Sequence, residues 1–103
     1  MFKLDELVMN EFETLQKFFN RSYSLEIRDL VESTVSAFEL MYDSRSYSLS
    51  VLAVVSDSLN FLKTTVSTDT EIPEIQKRHA VLMINIMLKQ LLILTQTIKK
   101  GLY

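Results

Sequence analysis

Apolar residues recur three and four positions apart along most of the chain, which is the spacing of amphipathic helices. Four such stripes are separated by short stretches rich in Ser, Thr and Asp. The sequence therefore predicts helices near residues 3–20, 24–42, 46–66 and 72–100, arranged as an antiparallel four-helix bundle in one all-α domain over residues 1–103. The side chains expected to be buried, each on the seam of its own helix, are Phe12, Phe38, Leu59, Met87 and Leu91.

The last of these stripes is the longest and the most apolar. Its central part, residues 80–94, reads AVLMINIMLKQLLIL, with three polar residues, Asn85, Lys89 and Gln90. Its length and its content of Leu, Met and Ala favour a helix over a strand. A helix that is apolar nearly all round is either covered by neighbours or crosses a membrane. A membrane span requires about 18–20 residues without charge, and Lys89 interrupts this run. We therefore expect a long, very apolar C-terminal helix that is covered by protein.

The start of the third segment carries two conflicting patterns. Tyr47, Leu49 and Val51 alternate with serines, which is typical of a strand. Further on, the apolar residues are spaced three and four apart, and a lone strand would have no partner elsewhere in the chain. We predict a helix from about residue 46, and the sequence leaves open whether residues 46–52 begin it or are extended.

Polar residues in the connections indicate where helices begin and end. Ser22 or Ser24 is expected to cap the second helix, because a serine oxygen accepts hydrogen bonds from the free amides of the first turn. Asp69 or Thr70 is expected to cap the fourth helix, with Pro73 inside its first turn. The single glycine, close to the C-terminus, is placed to end that helix.

Composition excludes several classes of protein. The chain has 103 residues, of which 48% are hydrophobic, so it is not disordered and is long enough for one core. It contains no cysteine, hence no disulfide framework, and one glycine, which is too few for phosphate-cradling loops. The N-terminal residues include acids where a signal peptide requires an apolar run. We therefore expect a cytoplasmic protein.

The net charge of −2 is unevenly distributed. Residues 71–103 contain five basic and two acidic side chains, whereas residues 1–70 contain six basic and eleven acidic ones. Nucleic-acid binding rewards dense patches of Lys and Arg, so the overall acidity argues against it. Two interpretations of the asymmetry remain open. The last helix packs against acidic neighbours of its own chain, or two chains pair through these unlike surfaces.

Candidate chemistry rests on one side chain, His79. A single histidine without cysteine makes no zinc site of the usual kind, and the chain lacks the Glu-x-x-His motifs of di-iron bundles. It also lacks a Gly-rich phosphate-binding loop. We therefore expect no metal, no cofactor and no enzymatic activity, and we interpret His79 as a partly buried, hydrogen-bonded side chain.

The segment from His79 to Lys89 resembles the last helix of the lactose/cellobiose-type IIA phosphocarriers, helical proteins of about this size that carry phosphate on one histidine. The resemblance implies that His79 is the phosphate acceptor. The histidine of that family follows a Gln-Asp pair, whereas Lys77 and Arg78 precede His79 here. A histidine phosphocarrier is therefore the alternative function.

The function that the sequence favours is a small, non-enzymatic protein-interaction module, such as an adaptor, an assembly or secretion chaperone, or a phage-type antagonist. The predicted last helix presents more apolar surface than three shorter helices can cover, and such a surface usually marks an interface. The partner would be another protein or a second copy, and we expect a homodimer without membrane association. The residues expected to bind the partner lie on one side of the last helix: Ile84, Met87, Leu88, Leu91, Leu94 and Ile98.

Overall fold

The computed structural model describes residues 4–20 and 24–101. Within these ranges the chain forms four α-helices and no strand. The helices are α1 (Leu4–Phe19), α2 (Leu25–Ser44), α3 (Leu49–Thr68) and α4 (Glu74–Lys99). The predicted all-α four-helix bundle is confirmed, and each helix begins and ends within three residues of the expected position.

Each helix packs against two others in a closed ring. α1 contacts α2, α2 contacts α3, α3 contacts α4, and α4 returns to α1. In the described part of the chain, the two diagonal pairs, α1 with α3 and α2 with α4, make no close backbone contact. The core therefore lies along the axis of the ring, and the outward faces of α2 and α4 point to opposite sides of the molecule.

The predicted seam residues fill this core. Phe12, Phe38, Leu59, Met87 and Leu91 are all completely buried, as expected. The rings of Phe12 and Phe38 stack with their centroids 5.1 Å apart, which joins α1 to α2. Complete burial of a side chain of this size contributes about 1.5–3 kcal/mol relative to its exposed state. Burial of the four stripes is therefore the main stabilising contribution.

A buried carboxylate holds the connection between α2 and α3. Asp5, in the first turn of α1, is 2% exposed. Its Oδ2 accepts a hydrogen bond from Tyr47 Oη at 2.7 Å and lies 3.2 Å from Arg45 Nη1. Arg45 adopts a left-handed φ of 55°, and its guanidinium lies over the ring of Tyr42. A left-handed backbone costs a non-glycine residue roughly 1–2 kcal/mol, and these contacts offset that cost.

Serine caps begin α2 and α3. Ser24 and Ser48 have extended backbones, and each hydroxyl oxygen accepts a hydrogen bond at 3.3 Å from the amide three residues further on. The prediction of Ser24 as a cap is confirmed, whereas Ser22 lies outside the described residues. Because Ser48 is the cap, α3 begins at Leu49, and residues 46–48 precede the helix.

The start of α4 differs from the prediction. Pro73 occupies the N-cap position rather than the first turn, and no side-chain cap is found among the described residues. Asp69, a predicted cap, instead follows α3, and its carboxylate accepts a hydrogen bond from the amide of Glu71 at 2.7 Å. The reason is that α3 continues to Thr68, which leaves Asp69 and Thr70 too far from α4 to cap it.

The end of α4 follows the prediction. Gly101 has a φ of 72°, and its N–H donates to the carbonyl of Ile98 at 3.0 Å. This left-handed glycine stops the helix after Lys99.

We predict that Leu91→Ala lowers the free energy of unfolding by about 2–5 kcal/mol, because it leaves a cavity in the core. Leu92→Ala is the matched control. Leu92 is 57% exposed, so its truncation is expected to change stability by no more than about 0.5 kcal/mol. Urea unfolding followed by circular dichroism measures both variants. Equal losses would show that the inward face of α4 is assigned wrongly.

Candidate functional site

α4 is apolar on two opposite sides. The side that faces the ring axis carries buried residues: Ala80, Ile84, Met87, Leu91 and Leu94. The opposite side carries four large apolar residues that stay exposed: Ile75 (80%), Leu82 (62%), Ile86 (46%) and Ile93 (48%). These last four residues are spaced 7, 4 and 7 apart, so they form one line along the helix. We call them the outer stripe.

The residues predicted to bind a partner lie mainly on the inward side. Four of them are completely buried, and the other two, Leu88 and Ile98, are partly buried against the core. The core of the bundle and its edge therefore contain the side chains that were predicted to bind a partner: Ile84, Met87, Leu88, Leu91, Leu94 and Ile98. The physical reason is that every helix of a closed ring must present one apolar side to the axis. The surface of α4 that is open to a partner is the outer stripe.

The sequence contained a signal for the outer stripe. Lys89 and Asn85 are both exposed and mark the side of α4 that is turned away from the core. Leu82, Ile86 and Ile93 lie on the same side, at helical spacing from Lys89. A second apolar line beside the polar residues could therefore be recognised in the sequence. It contains fewer apolar residues than the inward line, so periodicity alone favours the inward line as the binding face.

Basic side chains flank the outer stripe. Arg78 and Lys89 are exposed beside it, and Arg78 forms an ion pair with Glu74 one turn earlier, at 3.6 Å. On the α3 side, Lys63 Nζ donates to Asn85 Oδ1 at 3.2 Å. The exposed ion pair between Arg78 and Glu74 contributes little to stability. The charges nearest the middle of the outer stripe, those of Lys63 and Lys89, are both positive.

The acidic surface lies on the other side of the molecule. Helix α2 carries five acidic residues and one basic residue, and all six are exposed: Glu26, Arg28, Asp29, Glu32, Glu39 and Asp43. Since α2 and α4 are diagonal in the ring, their outward faces point apart. The exposed acids of α2 therefore cannot meet α4 of a second copy across a two-fold axis that passes beside α4.

His79 lies at a cavity of about 730 Å³ at the end of the bundle where α1 ends and α4 begins. The imidazole is exposed, so the expectation of a partly buried histidine was wrong. Its ring stacks on Phe18 with the centroids 5.1 Å apart. Lys17, Asp69 and Glu71 also line the cavity. One cation against two carboxylates is a poor environment for a phosphate group.

A polar pair lies between α1 and α4. Glu11 Oε2 and Gln90 Oε1 are buried and have no hydrogen-bond partner among the described residues. Burial raises the pKa of the Glu11 carboxyl, and a hydrogen bond with the Gln90 side chain lowers it, with a net increase. Protonation removes the charge and turns Oε2 into a donor. Burial therefore makes the Glu11 carboxyl easier to protonate in the folded chain than in the unfolded one.

Two further features bear on function. Among the residues that the structure describes, no group of three or more His, Cys, Asp or Glu side chains is arranged to hold a metal ion. α3 and α4 are long and apolar enough to cross a membrane by length and composition alone, a test that the core helices of globular proteins also pass.

The fold and this surface define a four-helix bundle with an exposed apolar stripe on its longest helix. Comparison with protein families, with curated proteins and with solved structures found no match to the chain. The exposed apolar surface of α4 is therefore the main guide to the function of the chain.

We predict that Glu11→Gln raises the free energy of unfolding at neutral pH and flattens its pH dependence. The pKa of Glu11 is higher in the folded than in the unfolded chain, so the ionised carboxyl destabilises the fold above the folded pKa. In the parent chain the contribution of Glu11 to the free energy of unfolding therefore becomes more favourable as the pH falls through the folded pKa. Glutamine is uncharged throughout, so the variant loses this pH dependence. Glu13→Gln, exposed on the same helix, is the control. Urea unfolding between about pH 4 and 7 tests this, and equal behaviour of the two variants would contradict it.

We predict that His79→Gln keeps the fold, because the imidazole is exposed, and that His79 accepts no phosphate in the parent chain, because two carboxylates line the adjoining cavity. The measurement is incubation of the parent chain with phosphoryl donors, followed by assay of acid-labile phosphate. Acid-labile phosphate that disappears in His79→Gln would support the phosphocarrier instead.

Proposed function

We propose that this chain is a non-enzymatic protein-interaction module that acts through the outer stripe of α4. The observation that carries the proposal is a line of four large apolar side chains on the outside of a bundle whose core is already closed. Isolated exposed leucines are ordinary on soluble proteins, whereas an aligned series on one helix face usually marks a contact surface.

The size of the stripe sets the strength of the contact. Its four exposed fractions together exceed two fully exposed side chains. Their burial by a partner would contribute about 4–7 kcal/mol before the cost of association. That cost is itself about 4–15 kcal/mol. The stripe therefore supports binding only together with further contacts, for which the exposed Leu92 is placed at its edge.

The shape of the stripe indicates the shape of the partner. A straight line of apolar residues on a helix packs best against another helix that presents a similar line. Such a contact suits an adaptor, an assembly or secretion chaperone, or a phage-type antagonist. We assign the chain to the cytoplasm as part of the same proposal, since a chain without cysteine suits a reducing compartment.

A histidine phosphocarrier is the second candidate. One observation favours it, since the His79 imidazole is exposed at a cavity that another molecule can enter. The two carboxylates in the cavity lining argue against it. It therefore ranks below the interaction module.

We predict that Leu82→Glu reduces capture of a protein partner by the immobilised chain at least tenfold, because it places a charge in the middle of the apolar contact. Leu40→Glu is the matched control. Leu40 is 72% exposed on α2, on the opposite side of the ring. Both substitutions are at exposed positions, so both variants are expected to melt close to the parent. Equal capture by the two variants would remove the outer stripe from the proposal.

A further inference from the structure

We infer that the occupant of the outer stripe is a second copy of this chain, packed antiparallel to it about a two-fold axis at the level of residue 84. The inference rests on the proposed function and names the partner for the same surface. It depends on the order of apolar and polar residues along the outside of α4 and on their exposure.

The outside of α4 has the spacing of a helix-pairing seam. With His79 and Lys89 included, the outer stripe becomes a line whose successive spacings are 4, 3, 4, 3 and 4. This alternation is what two helices need to interlock side chains along their length. All of these residues are exposed, so the whole line is available to a partner.

The seam is complementary to itself when it is reversed. In an antiparallel pair centred on residue 84, Ile75 lies opposite Ile93 of the second copy, and Leu82 lies opposite Ile86. The two polar residues then meet each other, since His79 lies opposite Lys89. Every apolar residue faces an apolar residue, and a neutral imidazole can accept a hydrogen bond from the ammonium group. A two-fold interface requires this self-complementarity.

Other arrangements of the same two helices are poorer. In a parallel pair, Lys89 would lie against Lys89 of the second copy. An antiparallel pair shifted by seven residues places either Lys89 or His79 opposite an apolar side chain. The antiparallel register centred on residue 84 places no lysine of the seam against another lysine, and it places no polar residue of the seam opposite an apolar one.

The area of the contact predicts a weak dimer. The outer stripe supplies roughly 150–300 Å² of apolar surface on each copy, by the usual relation between side-chain burial and area. Leu92, 57% exposed at the edge of the seam, extends this surface. An interface built on it falls in the small class, below about 1,200 Å² in total, in which transient associations occur.

One electrostatic cost is built into this register. Arg78 lies on the same edge of the helix as Lys89, and the two-fold axis places it beside Lys89 of the second copy. Association of the parent chain should therefore strengthen as salt screens this repulsion. Lys89→Glu replaces the repulsion from Arg78 of the other copy with an attraction, which the two-fold axis repeats once. The expected result is roughly 2- to 30-fold tighter association.

Sedimentation equilibrium of the parent chain, of Lys89→Glu and of Leu82→Glu measures these effects. We expect a concentration-dependent dimer that is tighter in Lys89→Glu and absent in Leu82→Glu. A partner with acidic residues beside its apolar stripe would give the opposite response, because Lys89→Glu would weaken its binding. Parent and Lys89→Glu chains that both stay at 12.0 kDa up to millimolar concentration would overturn the inference. Capture of another protein that depends on Leu82 would then leave the proposed function standing.

Disulfide trapping tests the register directly, because the chain has no cysteine of its own. Ile75→Cys and Ile93→Cys, one of them carrying a tag, are mixed and oxidised. The two positions are opposite each other in the inferred dimer, whereas identical positions on the two copies are about 27 Å apart along the helix, far beyond the reach of a disulfide. We expect the mixed disulfide to dominate. Disulfides between identical positions, or a mixed yield no higher than that of Leu40→Cys alone, would overturn the register.

Discussion

The structure depends on one geometrical constraint, which is that a helix in a ring of four has only two neighbours. Those neighbours and the central core cover roughly the inner half of its circumference. α1 satisfies this limit with one apolar stripe and a polar outer face, and α2 exceeds it only at the isolated Leu25 and Leu40. α4 cannot satisfy it, because large apolar residues lie on both its inward and its outward side. The ring buries the line that contains Met87 and Leu91 and leaves the line that contains Leu82 and Ile86 to solvent. The candidate surface is therefore a direct consequence of bundle size and of the composition of one helix.

Polar contacts fix the ring where the apolar stripes do not determine the geometry. The carboxylate of Asp5 joins the start of α1 to the Arg45–Tyr47 connection, forty residues away, and so sets where α2 ends. A buried charge of this kind must be paired, because removal from water is costly for an isolated ion. Glu11 and Gln90 play a looser part between α1 and α4, with oxygen atoms left unsatisfied among the described residues. Asp5 therefore ties the α2–α3 connection to α1, whereas the polar pair between α1 and α4 is incompletely satisfied.

Much of the fold could be predicted from the sequence, because helical spacing identifies both the helices and their buried seams. Phe12, Phe38 and Leu59 each lie on the only strong apolar line of their helix, so their burial followed. The same reasoning could not choose between the two apolar lines of α4, and it assigned Met87 and Leu91 to the core and to a partner at once. That choice depends on which neighbours α4 meets, which is tertiary information. The exposure of His79 and the pairing of Asp5 depend on distant residues in the same way, and local spacing carries no record of them.

The charge asymmetry of the bundle affects how two copies would approach each other, but not which surface they could bury. With α2 acidic and α4 basic on opposite sides, the charges of two copies would favour a head-to-tail approach, with α4 of one near α2 of the other. Such a contact repeats without closing and would build an open filament. It cannot bury the outer stripe, however, because Leu25 and Leu40, the exposed leucines of α2, are fifteen residues apart with charged side chains between them. The long-range attraction is screened by salt within about 8–10 Å, whereas burial of apolar surface is not. The closed pairing of α4 that we infer is therefore the contact that physiological salt would favour over a filament, even though the charges beside it are alike.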